Sequence, residues 1–403
     1  MLLLLIKYLF SFFNSEIPTV FNYASTKMIL AAITSLMITI FFGPFVIRRL
    51  YIMKIGQKIR TKDICPVLAE LHEKKKDTPT MGGILILFSM IISLLLWMDL
   101  SNFFTLILLI TTIWLGSVGA LDDYLKLKYK NSKGLPSKLK FLLQFVFAAL
   151  VGMYLLMPMN NTKNSFRPTA KEYSSKKAIE KKLAPKIQNL TTKEYMSKLY
   201  VPFCKKPITF KGLGTIFIFL LIIFVITGSS NAVNLTDGLD GLASGCLVMV
   251  AVVLALIAFF SNHVQMAKYL NVLYIEDSAQ IAIYLFAMAG ACLGFLWYNG
   301  FPAQIFMGDT GSLSLGGIIG VSAVLLRREL LLGVIGGIFV AEALSVILQV
   351  LSYRYRNKKR IFLCSPLHHH FEYKGWPEPK VVIRFWIIGL LLAIIGIASM
   401  KFQ

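Results

Sequence analysis

The chain has 403 residues, 56% of them hydrophobic and only 15% charged, with the apolar residues gathered in long blocks rather than in an amphipathic rhythm. That pattern excludes an ordinary soluble domain and describes a polytopic membrane protein. A net charge of +22 would suggest nucleic acid as a partner in a soluble protein, but the 42 Lys and Arg sit mostly between the apolar blocks. Anionic lipid and anionic substrate are therefore the expected partners, and nucleic acid is not.

In chain order, residues 1–15 are apolar but too short to span, and no small-residue cleavage motif follows, so they read as an interfacial segment. Blocks long enough to cross roughly 30 Å of hydrocarbon lie near 26–47, 80–98, 103–121, 139–157, 213–230, 239–260, 279–297, 311–326, 330–351 and 382–400. The expectation is an all-α membrane protein of about ten transmembrane helices. A first membrane part (1–157) and a second (213–403) are separated by a polar insertion (158–212). The eighth span is short and carries Gly311, Gly316, Gly317 and Gly320, which suits close helix packing more than lipid contact.

Ten spans put both termini on one side. Loops 48–76, 122–140 and 353–384 carry 9, 6 and 8 Lys/Arg, against 6 in the terminal and short connecting segments of the opposite face. The first group is expected to be cytoplasmic and both termini external. The insertion lies outside by parity although it holds 13 Lys/Arg against three Glu. Its polar, Lys-rich composition reads as a solvated spacer, partly helical or disordered, or else as a contact surface for lipid heads or a partner. Of the five Cys, only Cys204 falls in an external loop; Cys65 and Cys364 are internal and Cys246 and Cys292 lie within spans. Neither an intramolecular disulfide nor a zinc motif is expected.

Ionisable residues gather where the spans meet one face, and at membrane depth such groups mark a site. Asp122 and Asp123 end a span, with Lys126 at i+4 from Asp122, where a helical turn pairs them. These are candidate magnesium ligands, a base, or both. In NLTDGLDG (234–241), Asn234, Asp237 and Asp240 recur every three residues, while Gly238 and Gly241 permit close approach to the backbone. Asp309 follows an aromatic loop from Trp297, in which Phe306 is placed to stack on a base and Asp309 to hold a metal. His368, His369 and His370 are contiguous, and successive helical residues point about 100° apart. One shared metal is therefore disfavoured, and hydrogen bonds to phosphate or a sugar hydroxyl are expected. Lys74, Lys75 and Lys76 precede TPTMGG (78–83), suiting either a diphosphate or simple cytoplasmic anchoring; no Gly-Lys dipeptide occurs, hence no P-loop. The chain reads as a membrane enzyme acting on a charged substrate.

TPTMGG, DDYLK, NLTDGLDG, MGDTGS and PLHHHFE, in this order and on these span ends, resemble the polyprenyl-phosphate N-acetylhexosamine-1-phosphate transferases. TPTMGG and PLHHHFE point to the phospho-N-acetylmuramoyl-pentapeptide transferase branch. The likeness covers essentially the whole chain except 158–212, and Asp77 stands where the family commonly has Gly. It implies ten helices, an active site on the cytoplasmic face of the bacterial inner membrane, Mg²⁺ and a homodimer. The implied reaction moves phospho-MurNAc-pentapeptide from UDP-MurNAc-pentapeptide to undecaprenyl phosphate, giving lipid I and UMP. By resemblance Asp309 is the magnesium ligand, with Asp122, Asp123 and Asp237 as further candidates. Asp122 is the base, Asp123 sits beside it, and Asp237 organises the metal and diphosphate. Lys75, Thr80, Asn234, Asn299 and His369 contact the nucleotide-sugar or its phosphates; Gly238, Leu239, Asp240 and Phe306 form the uridine pocket. Lys126 adds positive charge for the substrate.

Two other readings compete. One is a related enzyme transferring GlcNAc-1-phosphate; the other is a cation-coupled transporter, which would place its acids near the bilayer midplane rather than at span ends.

Overall fold

A computed structural model describes residues 19–53, 75, 78–129, 134–157, 169–173, 187–204, 206–270 and 272–401. The interfacial reading of 1–15, Cys65, Lys74, Lys76, Asp77 and much of 158–212 lie outside the described residues. Helices α1 (Ala24–Ile52), α2 (Gly83–Trp97), α3 (Phe103–Lys128) and α4 (Ser137–Leu156) precede the insertion. After it come α6 (Gly214–Thr236), α7 (Leu242–Ser261), α8 (Val264–Leu270), α9 (Ala279–Asn299), α10 (Gly308–Leu325), α11 (Glu329–Ile335), α12 (Gly337–Tyr355), α13 (Leu367–Tyr373) and α14 (Glu378–Lys401). Among the described residues, nine helices are long and apolar enough to cross a membrane: α1, α3, α4, α6, α7, α9, α10, α12 and α14.

Two expected spans differ. The 80–98 block yields α2, only 15 residues, because Met81 takes a positive φ of 72° and the chain before Gly82 is tied into a loop. The 330–351 block breaks at Gly336, which ends α11 and caps the start of α12. By contrast, the short Gly-rich eighth span forms one helix, α10, buried on nearly every side inside the bundle.

Small and hydroxylated residues let the helices approach. A Cβ on Gly290 would lie 2.1 Å from the Ala32 carbonyl oxygen, so α1 and α9 touch backbone to backbone. Thr39 donates to Ser89 at 2.7 Å and Ser35 to the Ala287 carbonyl at 2.8 Å, satisfying hydroxyls where water is absent. Pro44 inside α1 has no N–H for the Ile40 carbonyl, and the Tyr298 hydroxyl donates there instead at 2.7 Å.

The insertion is not simply a solvated spacer, nor is the fold purely α. Strand β1 (Ala170–Tyr173) pairs antiparallel with β2 (Ile187–Leu190) and with β5 (Tyr274–Ile275), which lies between α8 and α9. A short helix α5 (Thr192–Met196) opens with a Thr191–Glu194 capping box, and β3 (Lys198–Leu199) pairs with β4 (Ile208–Thr209). Ala170, Leu190, Tyr195, Met196 and Leu199 are buried, a hydrophobic set that the Lys-rich average conceals. This layer sits at the end of the bundle opposite the acidic motifs.

The insertion is tied down by buried charge. Arg327, between α10 and α11, donates through Nε (2.9 Å) and Nη2 (2.6 Å) to the Lys198 carbonyl, and its Nη1 pairs with Glu329. Both side chains are fully buried. Arg327→Leu should therefore strand the Glu329 charge and cost about 3–5 kcal/mol. Arg327→Leu/Glu329→Leu should recover most of that loss. Thermal unfolding in detergent checks both, and an unchanged midpoint for the single variant would refute this anchoring.

Candidate active site

The acidic motifs converge on one end of the bundle, around the N-terminus of α10. Met307, preceding that helix, offers no side-chain cap, and the opening N–H groups lie inside protein where they need an acceptor. Asp123 supplies it from α3. Its carboxylate accepts the Asp309 N–H at 3.2 Å, the Thr310 N–H at 2.9 Å and the Thr310 hydroxyl at 2.7 Å. The approach depends on glycine. A Cβ on Gly119 would meet the Asp309 carbonyl at 2.3 Å, one on Gly83 would meet the Gly311 nitrogen at 2.1 Å, and Gly308 has φ +71°. Backbone bonds from Phe306 to Pro79, Gly82 to Phe306 and Gly83 to Met307, each 2.8 Å, knit TPTMGG to the loop before Asp309.

So placed, Asp309 stands between helices α3, α4 and α6. Its Oδ1 accepts from Asn234 at 2.8 Å; its Oδ2 takes Lys126 at 3.0 Å and, more closely, Lys140. Lys126 also lies 2.6 Å from Asp122 Oδ2, the i+4 pair expected from spacing. Lys140 is the first site residue missed in sequence. It is one of several lysines in its loop, and only the packing of α4 against α3 selects it. The turn at Gly134–Leu135 was missed too: the Leu135 N–H donates to Asp122 Oδ1 at 2.7 Å, and Gly134, with φ +53°, leaves no room for a Cβ.

Asp122, Asp123 and Asp309 bring carboxylate oxygens within 4.8 Å of one another. Asp122 and Asp123 are only 2–3% exposed. Buried Asp122 Oδ2 receives no bond of hydrogen-bonding geometry, despite the nearby Lys126 ammonium. Three acids against two lysines leave surplus negative charge and an all-oxygen donor set, which fits a hard divalent cation. Asp237 caps the C-terminal end of α6 nearby. Burial pushes its carboxyl up to about 7, and the charges of Asp309 and Asp123 act the same way, while a hydrogen bond from the Gly308 backbone opposes them.

A second cluster adjoins the first. Lys75 Nζ lies 2.6 Å from Asp240, 2.7 Å and 2.8 Å from the two oxygens of Glu378, and 6.0 Å from the centre of the half-buried Phe306 ring. Asp240 also accepts from the Ala303 N–H at 2.9 Å. Glu378 was the other residue missed in sequence, since a lone Glu at the start of a span reads as an interfacial anchor. Asn299 is occupied: it accepts from the Gly241 N–H and the Ser244 hydroxyl, both at 3.1 Å, and donates to the Ile305 carbonyl at 2.9 Å. Thr80 borders Gly308, and Leu239 is buried beneath the turn.

The histidines take separate partners, although the rings of His368 and His369 meet edge-on with their centres 4.2 Å apart. His368 is fully buried, with Nδ1 3.1 Å from Glu342 and Nε2 where a Cβ on Gly238 would fall. His369 Nδ1 is 2.7 Å from Glu372, and His370 Nδ1 accepts from the Leu363 N–H at 3.1 Å.

The family follows from comparison with known sequences. The glycosyl transferase family 4 profile matches residues 105–327, more than half of the chain. Signature 1 of the phospho-N-acetylmuramoyl-pentapeptide-transferases matches residues 75–87. The chain belongs to the phospho-N-acetylmuramoyl-pentapeptide-transferase family. The curated family member of Protochlamydia amoebophila is 63% identical over 411 residues, covering all of both chains. That of Thermodesulfovibrio yellowstonii is 44% identical over 384 residues, 95% of each chain. The matched signature is the segment from Lys75 through Gly83 into α2 that lines both clusters.

Asp123 and Asp309 should separate by assay. Asp123→Asn weakens the cap of a buried helix and should cost about 0.5–2 kcal/mol of stability. Asp309→Asn removes the shared partner of Lys126 and Lys140 and should lower the thermal midpoint as well, but it alone should abolish any Mg²⁺-dependent rise in it. Melts with and without Mg²⁺ check both.

Proposed function

We infer that this chain transfers phospho-N-acetylmuramoyl-pentapeptide from UDP-MurNAc-pentapeptide to undecaprenyl phosphate, yielding lipid I and UMP, the first membrane step of peptidoglycan synthesis. The observation that carries the reading is the cluster of Asp122, Asp123 and Asp309 with Lys126 and Lys140 at one end of an apolar bundle. A polyprenyl tail can stay in lipid beside such a bundle while its phosphate reaches the charged end. Membership of the family identifies the donor.

The contacts support the following roles. Asp122 Oδ1 is held by the Leu135 N–H and Oδ2 lies 2.6 Å from the Lys126 ammonium, and Asp122 is assigned as the group that takes the lipid phosphate's proton. A phosphate oxygen then attacks the sugar-side phosphorus of the donor, a new P–O–P link forms, and the P–O bond to UMP breaks. Lys126 and Lys140 offset the charge of two anionic substrates brought together. Asp309, with Asp122 beside it, would hold Mg²⁺, which when bound adds the positive charge that neutralises the diphosphate. Asn234 holds Asp309 through Oδ1, and Asp123 fixes it through the backbone, so both act as positioning residues. Lys75, Gly238, Leu239, Asp240 and Phe306 form the nucleotide side. His369 and Thr80 border the diphosphate and sugar.

The same reading carries the topology. The acidic end faces the cytoplasm, as the Lys/Arg excess of loops 48–76, 122–140 and 353–384 argues, α2 completes ten crossings, and the termini are external. The enzyme resides in the bacterial inner membrane as a homodimer.

UMP should be released from UDP-MurNAc-pentapeptide only when undecaprenyl phosphate is also present; release without the acceptor would point to a covalent intermediate instead. Asp122→Asn, nearly isosteric but unable to take the proton, should lower turnover at least 100-fold with UMP binding little changed, in line with the typical worth of a general base. Phe306→Ala should weaken UMP binding by about 1–3 kcal/mol if the ring stacks on uracil. Calorimetric titration beside a melt separates that from mere loss of packing.

A further inference from the structure

Glu378 carries more than an interfacial anchor requires. It opens α14, its side chain is only 9% exposed, and it faces Lys75 with both oxygens at 2.7 and 2.8 Å. Oε1 also accepts the Asp240 N–H at 2.7 Å. One carboxylate thus grips two separate segments, the lysine ahead of TPTMGG and the turn of DGLDG. The Asp240 side chain closes the circuit, with Oδ1 on Lys75 and Oδ2 on the Ala303 N–H of the loop that delivers Phe306. Lys75 Nζ therefore has three carboxylate contacts, enough to use all its donors, and is held 6.0 Å from the Phe306 ring. A lysine on a four-carbon stem loses much rotamer freedom when it binds a ligand, and prior immobilisation lowers that cost. A simple ion pair between α14 and the loop would need one acid; here two share one cation, and the second also fixes a backbone amide.

We propose that Glu378 is a positioning residue for nucleotide binding, holding Lys75 and the Asp240 turn in register with Phe306 before the nucleotide arrives. The proposal rests on the nucleotide reading of this cluster. Glu378 acts mainly through Lys75 and need not touch the ligand, so most of its effect should vanish when Lys75 is gone, the Asp240 N–H bond accounting for the rest.

A double-mutant cycle on the full-length protein in detergent, titrated with UMP, tests this. Lys75→Gln should weaken UMP binding about 10–30-fold and Glu378→Gln about 5–10-fold, within the usual range for coupled charged neighbours. Lys75→Gln/Glu378→Gln should bind only slightly more weakly than Lys75→Gln alone, far short of the product of the two single losses. Additive losses would overturn the proposal, as would normal UMP affinity in Glu378→Gln accompanied only by a lower thermal midpoint. UMP affinity untouched by Lys75→Gln would instead sink the nucleotide reading itself. If Glu378→Gln does not fold, Glu378→Asp, which keeps the charge but shortens the reach, takes its place in the same cycle with the same expected non-additivity.

Discussion

The site depends on a helix that begins inside protein. The first N–H groups of α10 have no water to turn to and no cap from their own segment, and the Asp123 carboxylate on α3 accepts them. That contact sets the distance between α3 and α10 and orients the first turn, so that Asp309 emerges between Lys126, Lys140 and Asn234. Gly83, Gly119 and Gly308 are the steric conditions for it, because a methyl group at any of them would push the cap away from the amides.

Charge is distributed in the same spirit. Each cluster holds more carboxylates than lysines, and each lysine is shared between acids rather than paired with one. Buried carboxylates with partial compensation are costly, and a protein that keeps them has a use for the residual field. In the first cluster that field suits a divalent cation; in the second it holds a lysine still beside an aromatic ring.

The opposite end of the bundle solves a different problem. There the buried Arg327 and Glu329 neutralise each other, and the guanidinium's remaining donors go to the Lys198 carbonyl. With Arg328 also buried alongside, the balance there lies on the cationic side, which distinguishes this anchor from the under-compensated acids of the site.

The sequence by itself determined the helical membrane character, most of the span positions, the one-sided gathering of acids and the Asp122–Lys126 pair. Each follows from local periodicity or from apolar run length, which act within a few residues. Tertiary structure alone decided the rest. It made Asp123 a cap for another helix, gave Asn299 over to backbone amides, selected Lys140 from among several loop lysines, and brought Glu378 onto Lys75 across some three hundred positions of sequence. It also decided that the described part of the Lys-rich insertion packs, because its strand Ala170–Tyr173 pairs with Tyr274–Ile275, its helix Thr192–Met196 lies against Ser137–Leu156, and its Lys198 carbonyl accepts from the buried Arg327. A side chain's partner is set by which helix ends the fold brings together, and no local pattern encodes that distance.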